Sequence, residues 1–132
     1  MTGKDCIVLA VEQKLLDKFK EHATSQKISA IEENIFVAIS GLNADGRALI
    51  ERAILQGQQY RFDYYQEKMR TGQLATEISK IKQHFTQSGG KRPFGVSCLI
   101  AGIDPTDEAE KFAPNLFLTE PSGTLVQYKV IL

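Results

Sequence analysis

The chain has 132 residues, room for one domain, and its 42% hydrophobic and 24% charged residues are ordinary for a globular protein. Sixteen Lys plus Arg balance sixteen Asp plus Glu, which excludes nucleic-acid recognition by bulk charge and a polybasic membrane anchor. No apolar stretch approaches the roughly 18 residues of a membrane span, and two cysteines, Cys6 and Cys98, cannot build a disulfide framework. Both lie in apolar runs, where a thiol behaves as a small hydrophobe in a reducing compartment.

Cys6 to Val11 is β-branched and apolar and predicts a strand buried on both faces. The charged stretch from Leu15 to Gln26 predicts an exposed excursion. Lys27 to Ile31 alternates polar and apolar residues, Glu32-Glu33-Asn34 is a polar turn, and Ile35 to Ser40 is apolar again, which together predict a β-hairpin. Gly41 ends that strand. Asn43 then stands as a helix N-cap, with Asp45 in the first turn facing the positive end of the dipole. Leu42, Ala48, Leu49, Ile50, Ala53 and Ile54 supply an apolar helical face through about Tyr60. Arg61 to Gly72 predicts a loop that packs Phe62, Tyr64 and Tyr65 locally. Leu74, Ile78, Ile81 and Phe85 predict a second amphipathic helix to about Gln87. Ser88 to Pro93 is the clearest breaker. A buried strand follows at Val96 to Ile103, then an acidic loop from Asp104 to Pro114. Leu116 to Thr119 reads as a strand, Glu120-Pro121-Ser122-Gly123 as a turn, and Leu125 to Ile131 as the closing strand. Strands, two helices, then strands predict an α+β fold with helices on one face of antiparallel sheet.

Motif chemistry is sparse. His22 and His84 are far apart in charged settings, and no Cys or His pair has zinc spacing. There is no nucleophile elbow, P-loop or dinucleotide fingerprint. Gly89-Gly90 lacks the following helix that a phosphate cradle needs. Glu32-Glu33 and the Asp104/Asp107/Glu108/Glu110 cluster lack EF-hand spacing, so solvated loops are the expectation. Phe62, Tyr64 and Tyr65 beside Arg61 and Lys68 could stack on bases, a use that zero net charge disfavours. No catalytic, metal-binding or cofactor-binding residue emerges, and no cofactor is expected.

Several blocks nevertheless resemble one family. Gly41-Leu42-Asn43-Ala44-Asp45-Gly46-Arg47 resembles the G-L-x-A-D-x-R motif of proteasome α-type subunits. Phe85-Thr86-Gln87, Arg92-Pro93-Phe94-Gly95 and Glu120-Pro121-Ser122-Gly123 resemble further blocks of that family in its order and spacing. Gly3-Lys4-Asp5 with Val8 to Glu12 resembles its first strand hairpin, and Lys27-Ile28 its K-I strand. The T-Q-S-G-G-x-R-P-F-G-V-S stretch and the T-E-P-S-G turn most resemble the subunit at the fourth position of the eukaryotic α ring.

The resemblance implies an N-terminal-nucleophile-hydrolase-like αββα sandwich, incomplete and covering the central portion only. Residues 1–132 are then a single α-type domain lacking the N-terminal gate segment and the C-terminal helix layer, with one sheet face uncovered. Gly46 departs from the Ala or Ser usual in the family and costs up to about 1 kcal/mol in a helix. The implied function is that of a non-catalytic structural α-ring subunit of the 20S core, contributing to the ring, substrate entry and activator docking in ubiquitin-dependent degradation, in cytoplasm and nucleus. Its implied partners are neighbouring α subunits, β-ring subunits and the C-terminal tails of regulatory-particle activators, with no nucleic acid and no membrane. Lys27 and Leu42 resemble the cation and apolar wall of the activator-tail pocket between adjacent subunits. The first helix, through Arg47, Glu51 and Arg52, is implied to face the β ring.

The alternative is a threonine-type peptidase subunit, since removal of Met1 exposes Thr2. Thr2 lies only two residues before Lys4, too close for the family's nucleophile, and Thr2-Gly3 reads as loop. Glu12 and Lys27 lie near the acid/base positions of β subunits but would have nothing to activate.

Overall fold

The computed structural model describes residues 1–3, 5–12, 26–106 and 111–128. Five strands form one antiparallel sheet in the order β1-β2-β3-β4-β5: β1 Ile28–Glu32, β2 Ile35–Gly41, β3 Val96–Pro105, β4 Phe112–Thr119 and β5 Leu125–Tyr128. Two helices, α1 Asn43–Asp63 and α2 Thr71–Gln87, are inserted between β2 and β3. The fold is thus α+β with both helices on one sheet face, as the element order predicts. Alternation along the strands sends Ile35, Val37 and Ile39 of β2 and Val96, Cys98 and Ile100 of β3 toward the helices. There they meet Leu49 and Ala53 of α1 and Leu74, Ala75 and Ile78 of α2, which form the core.

The other face carries Phe36, Ala38 and Ser40 of β2 and Ser97, Leu99, Ala101 and Ile103 of β3. It is crossed by the N-terminal segment. Ile7 and Leu9 border a hollow floored by Phe36, Ala101 and Ile103, with Phe112 on its wall. The predicted strand Cys6 to Val11 is corrected here: its one pairing is a bridge between Thr2 and Ile7, and Cys6, Val8 and Val11 are exposed. Among the described residues no strand ladder includes residues 9–12, so the run lies upon the sheet instead of inside one. Residues 15–25 of the predicted excursion lie outside the described residues.

Other boundaries move for visible reasons. The N-cap of α1 is Leu42, not Asn43, and no side chain caps it. Gly41 (φ 127°) turns the chain where a Cβ would strike the Gly95 carbonyl and come within 3.0 Å of Val96 Cα. The expected loop after Tyr60 begins later, because α1 continues to Asp63 and Tyr60 stacks on Tyr64 with ring centroids 4.4 Å apart. Phe62 and Tyr65 do not pack locally; they are 82% and 98% exposed. Asp104 belongs to β3 and is buried, not part of an acidic loop, because its carboxylate caps α2. It accepts bonds from Thr71 N (2.9 Å), Thr71 Oγ1 (2.8 Å) and Asn115 Nδ2 (2.9 Å). The rest of that expected cluster, Asp107, Glu108 and Glu110, lies outside the described residues, as does the end of the closing strand.

Candidate functional site

Two sequence blocks about fifty residues apart meet at the start of α1. Asp45 is buried in the first helical turn, and its carboxylate accepts from Arg92 Nη1 (2.6 Å), Arg92 Nη2 (2.7 Å) and Gly95 N (2.9 Å). The forked guanidinium matches the planar carboxylate. The Arg92 hydrogen bonds, with that from Gly95, hold the Asp45 carboxyl down at about 2, and Asp45 pushes the Arg92 guanidinium up. Leu42 N donates to Gly95 O at 2.9 Å, closing the corner. Phe94 is buried against Phe85, with Arg52 over both rings at 5.6 and 5.1 Å. Pro93 is exposed beside it, while Ala44 and Arg47 stand exposed on α1. The third block, Pro121-Ser122-Gly123, is a turn laid on α2: Gly123 (φ 89°) sits against the Gln83 backbone and its carbonyl accepts from Ser79 Oγ. These blocks are joints between helices and sheet.

Lys27 just precedes β1, half-buried, with Nζ donating to Glu12 O at 2.7 Å. It borders a cleft of about 620 Å³ on the open sheet face, lined also by Ala10, Val11, Ser40, Ser97, Leu99 and Leu118. Leu42 does not line this cleft. Ile39 N donates to Lys27 O at 2.9 Å, and Leu42 lies three residues further, about 10 Å of extended chain. Leu42 is 56% exposed and reaches over Gly95. The two expected pocket residues therefore flank one strand end without sharing a concavity. Thr2 is buried beside Ile7, away from the cleft walls.

Sequence reasoning missed Lys82. It is fully buried, and Nζ donates to Val96 O (3.0 Å), Thr119 O (2.9 Å) and Thr119 Oγ1 (2.8 Å). Burial pushes its ammonium down, opposed by the adjoining Cys98 thiol, which burial itself pushes up. A signal was present: Lys82 falls between Ile78 and Phe85 on the apolar stripe of α2. Among the described residues no group of three or more His, Cys, Asp or Glu is arranged to hold a metal. No described helix is long and apolar enough to cross a membrane.

A family model described as "Proteasome subunit" matches residues 1–132. A proteasome subunit alpha of Methanocaldococcus jannaschii is 46% identical over 126 residues, 96% of this chain and 46% of that protein. A proteasome subunit alpha type-4 of Saccharomyces cerevisiae is 42% identical over 122 residues, 92% of this chain and 46% of that protein. A proteasome subunit alpha type-7 of Caenorhabditis elegans is 40% identical over 126 residues, 96% of this chain and 47% of that protein. The chain spans about half the length of the curated relatives it matches.

Proposed function

The chain belongs to the proteasome subunit family, and from that membership we propose that it acts as a non-catalytic structural subunit of the α ring of a 20S core particle. The observation that carries the reading is the joint of Asp45, Arg92 and Gly95, which gives the α-type sequence blocks a structural use. Relatives named as alpha subunits support the same assignment. We place it at the fourth position of a eukaryotic ring, on its T-Q-S-G-G and T-E-P-S-G segments, within ubiquitin-dependent protein degradation in cytoplasm and nucleus. The partners are neighbouring α subunits, β-ring subunits facing α1 through Arg47 and Glu51, and activator tails. Arg52 has a separate employment over Phe85 and Phe94. The peptidase alternative gains nothing from the geometry, because Thr2 is buried and the Lys27 cleft lies elsewhere.

Lys27 is the proposed partner of the terminal carboxylate of an activator tail, with Leu42 on the neighbouring wall. The ammonium is a compact cation at the rim of the sheet, and its stem rests on apolar surface. Native extracts test the assignment: the chain should co-migrate with α and β subunits in one large particle. In such assembled rings, Lys27→Ala should weaken activator-tail peptides about tenfold or more, the loss of a charge-assisted hydrogen bond. Unchanged tail affinity in the variant ring removes Lys27 from the site.

A further inference from the structure

We propose that β5 pairs with β5 of a second copy of this chain, antiparallel about a two-fold axis, so that two five-stranded sheets join into one. This pairing is between free copies of the chain and does not depend on its place in a ring.

The two edges of the sheet are built differently. Edge strand β1 carries a bulge between Ala30 and Glu32, and Glu32 turns a buried carboxylate inward onto Arg61. A bulge and an inward-pointing charge are two of the devices that blunt an edge. β5, Leu125-Val126-Gln127-Tyr128, has neither, and it has no proline and no charged side chain. Among the described residues its one neighbouring strand is β4. Glu120 N donates to Thr124 O, so the next mutual bonds of the β4–β5 ladder fall at Leu118 with Val126 and at Leu116 with Tyr128. The N–H and C=O of Leu125 and Gln127 therefore point away from β4, toward a further strand.

The side chains select a second copy as that strand. With the two-fold axis at Gln127, this residue exchanges both backbone bonds with its own counterpart, and Val126 stands opposite the second copy's Tyr128, twice. Val126 and Tyr128 are 38% and 41% exposed and alternate onto the open face, while Leu125 stays against the core. An aromatic against a β-branched side chain is a favourable cross-strand pair. The helices leave room. α2 lies over β3 and β4, where Lys82 bonds Val96 and Thr119 and Gly72 meets Phe117. In the pair the two β4 strands stand three strand spacings apart, about 14 Å, beyond the roughly 8–10 Å at which helices pack. A net charge of zero removes long-range repulsion between copies.

Oxidative cross-linking of the 132-residue chain in a Cys6→Ala background tests the pairing. Val126 and the second copy's Tyr128 form a non-hydrogen-bonded pair, the closer kind. A mixture of Val126→Cys and Tyr128→Cys proteins should therefore cross-link about tenfold or more faster than either alone, whose thiols lie too far apart to bridge. Gln127→Pro removes an outward N–H and leaves the bonds to β4 intact; it should abolish the cross-link, and Gln127→Ala should keep it. Phe36→Ser, on the open face, should also keep it. In the wild-type chain, the Gln127 amide should exchange about tenfold slower in concentrated than in dilute solution. Cross-linking that survives Gln127→Pro and is lost in Phe36→Ser assigns association to the open face and overturns the β5 pairing. Cross-linking by Val126→Cys alone as fast as by the mixture, or Gln127 exchange independent of concentration, also overturns it.

Discussion

Asp45 shows how one residue can be read correctly for position and incompletely for partner. Its place in a first helical turn is legible, because acidic residues stabilise helix N-termini. Its bond to Arg92, 47 residues away, is not, since no local pattern records it. The pairing has a pH consequence. The folded-state pKa is depressed to about 2, below the ordinary aspartate value of about 3.9. The unfolded chain therefore takes up the proton first on acidification. The stabilisation is complete above about pH 4 and is lost as pH falls to about 2. Thermal melts from pH 6 to 2 should show a fall in Tm over that window that is smaller in Asp45→Asn. Equal falls in the two proteins remove Asp45 from acid sensitivity. Lys82 makes the opposite point: its helical position was legible, but a lysine on an apolar stripe reads as an interruption until its three acceptors are seen. Lys82→Met takes a charged donor from three acceptors, Val96 O, Thr119 O and Thr119 Oγ1. It should cost about 1–3 kcal/mol, measured as a lower urea midpoint at unchanged slope. A midpoint within error of wild type contradicts this use of Lys82.

Elements were the most legible level, and their ends the least. The Leu74/Ile78/Ile81/Phe85 spacing finds α2, and β-branched runs find β2 and β3. The start of α2 was missed because its capping carboxylate, Asp104, comes from β3. α1 overran its expected end because Tyr64 stacks back on Tyr60. Gly46 in α1 looked like a mere helix weakness. In the structure a Cβ there would collide with Cδ1 of Ile39, which is 5% exposed and has little room to move. The glycine thus lets α1 approach β2 closely. Gly46→Ala alone should gain helix propensity of up to about 1 kcal/mol and lose as much or more to overpacking. Ile39→Val removes the offending methyl, so Gly46→Ala should be more favourable in that background than in wild type. Urea melts of all four proteins give the coupling. Additive effects reject the contact.

At the scale of the molecule, the α+β order and the placement of both helices on one face followed from the sequence. The N-terminal segment did not, because burial in a strand and contact with a sheet surface ask for the same apolar residues. Phe36, Ile103 and Phe112 remain 44%, 38% and 63% exposed on the side away from the helices. A contiguous apolar face is an association surface. The isolated chain should self-associate, with light scattering giving a mass that rises with concentration. A monomer with a high, cooperative melting transition would falsify that expectation.

The group that finishes α2 arrives late. Asp104 lies 33 residues beyond Thr71, and Arg92, which closes α1, likewise follows both helices. A chain emerging from the ribosome therefore exposes two helices whose N-termini await residues not yet made. Until β3 is synthesised and docks on β2, Thr71 N lacks the Asp104 carboxylate and Leu42 N lacks the Gly95 carbonyl, and water takes both places. A nascent chain arrested before Arg92 should show faster amide exchange at Leu42 and Thr71 than the finished protein, and the arrival of β3 should protect both in one step.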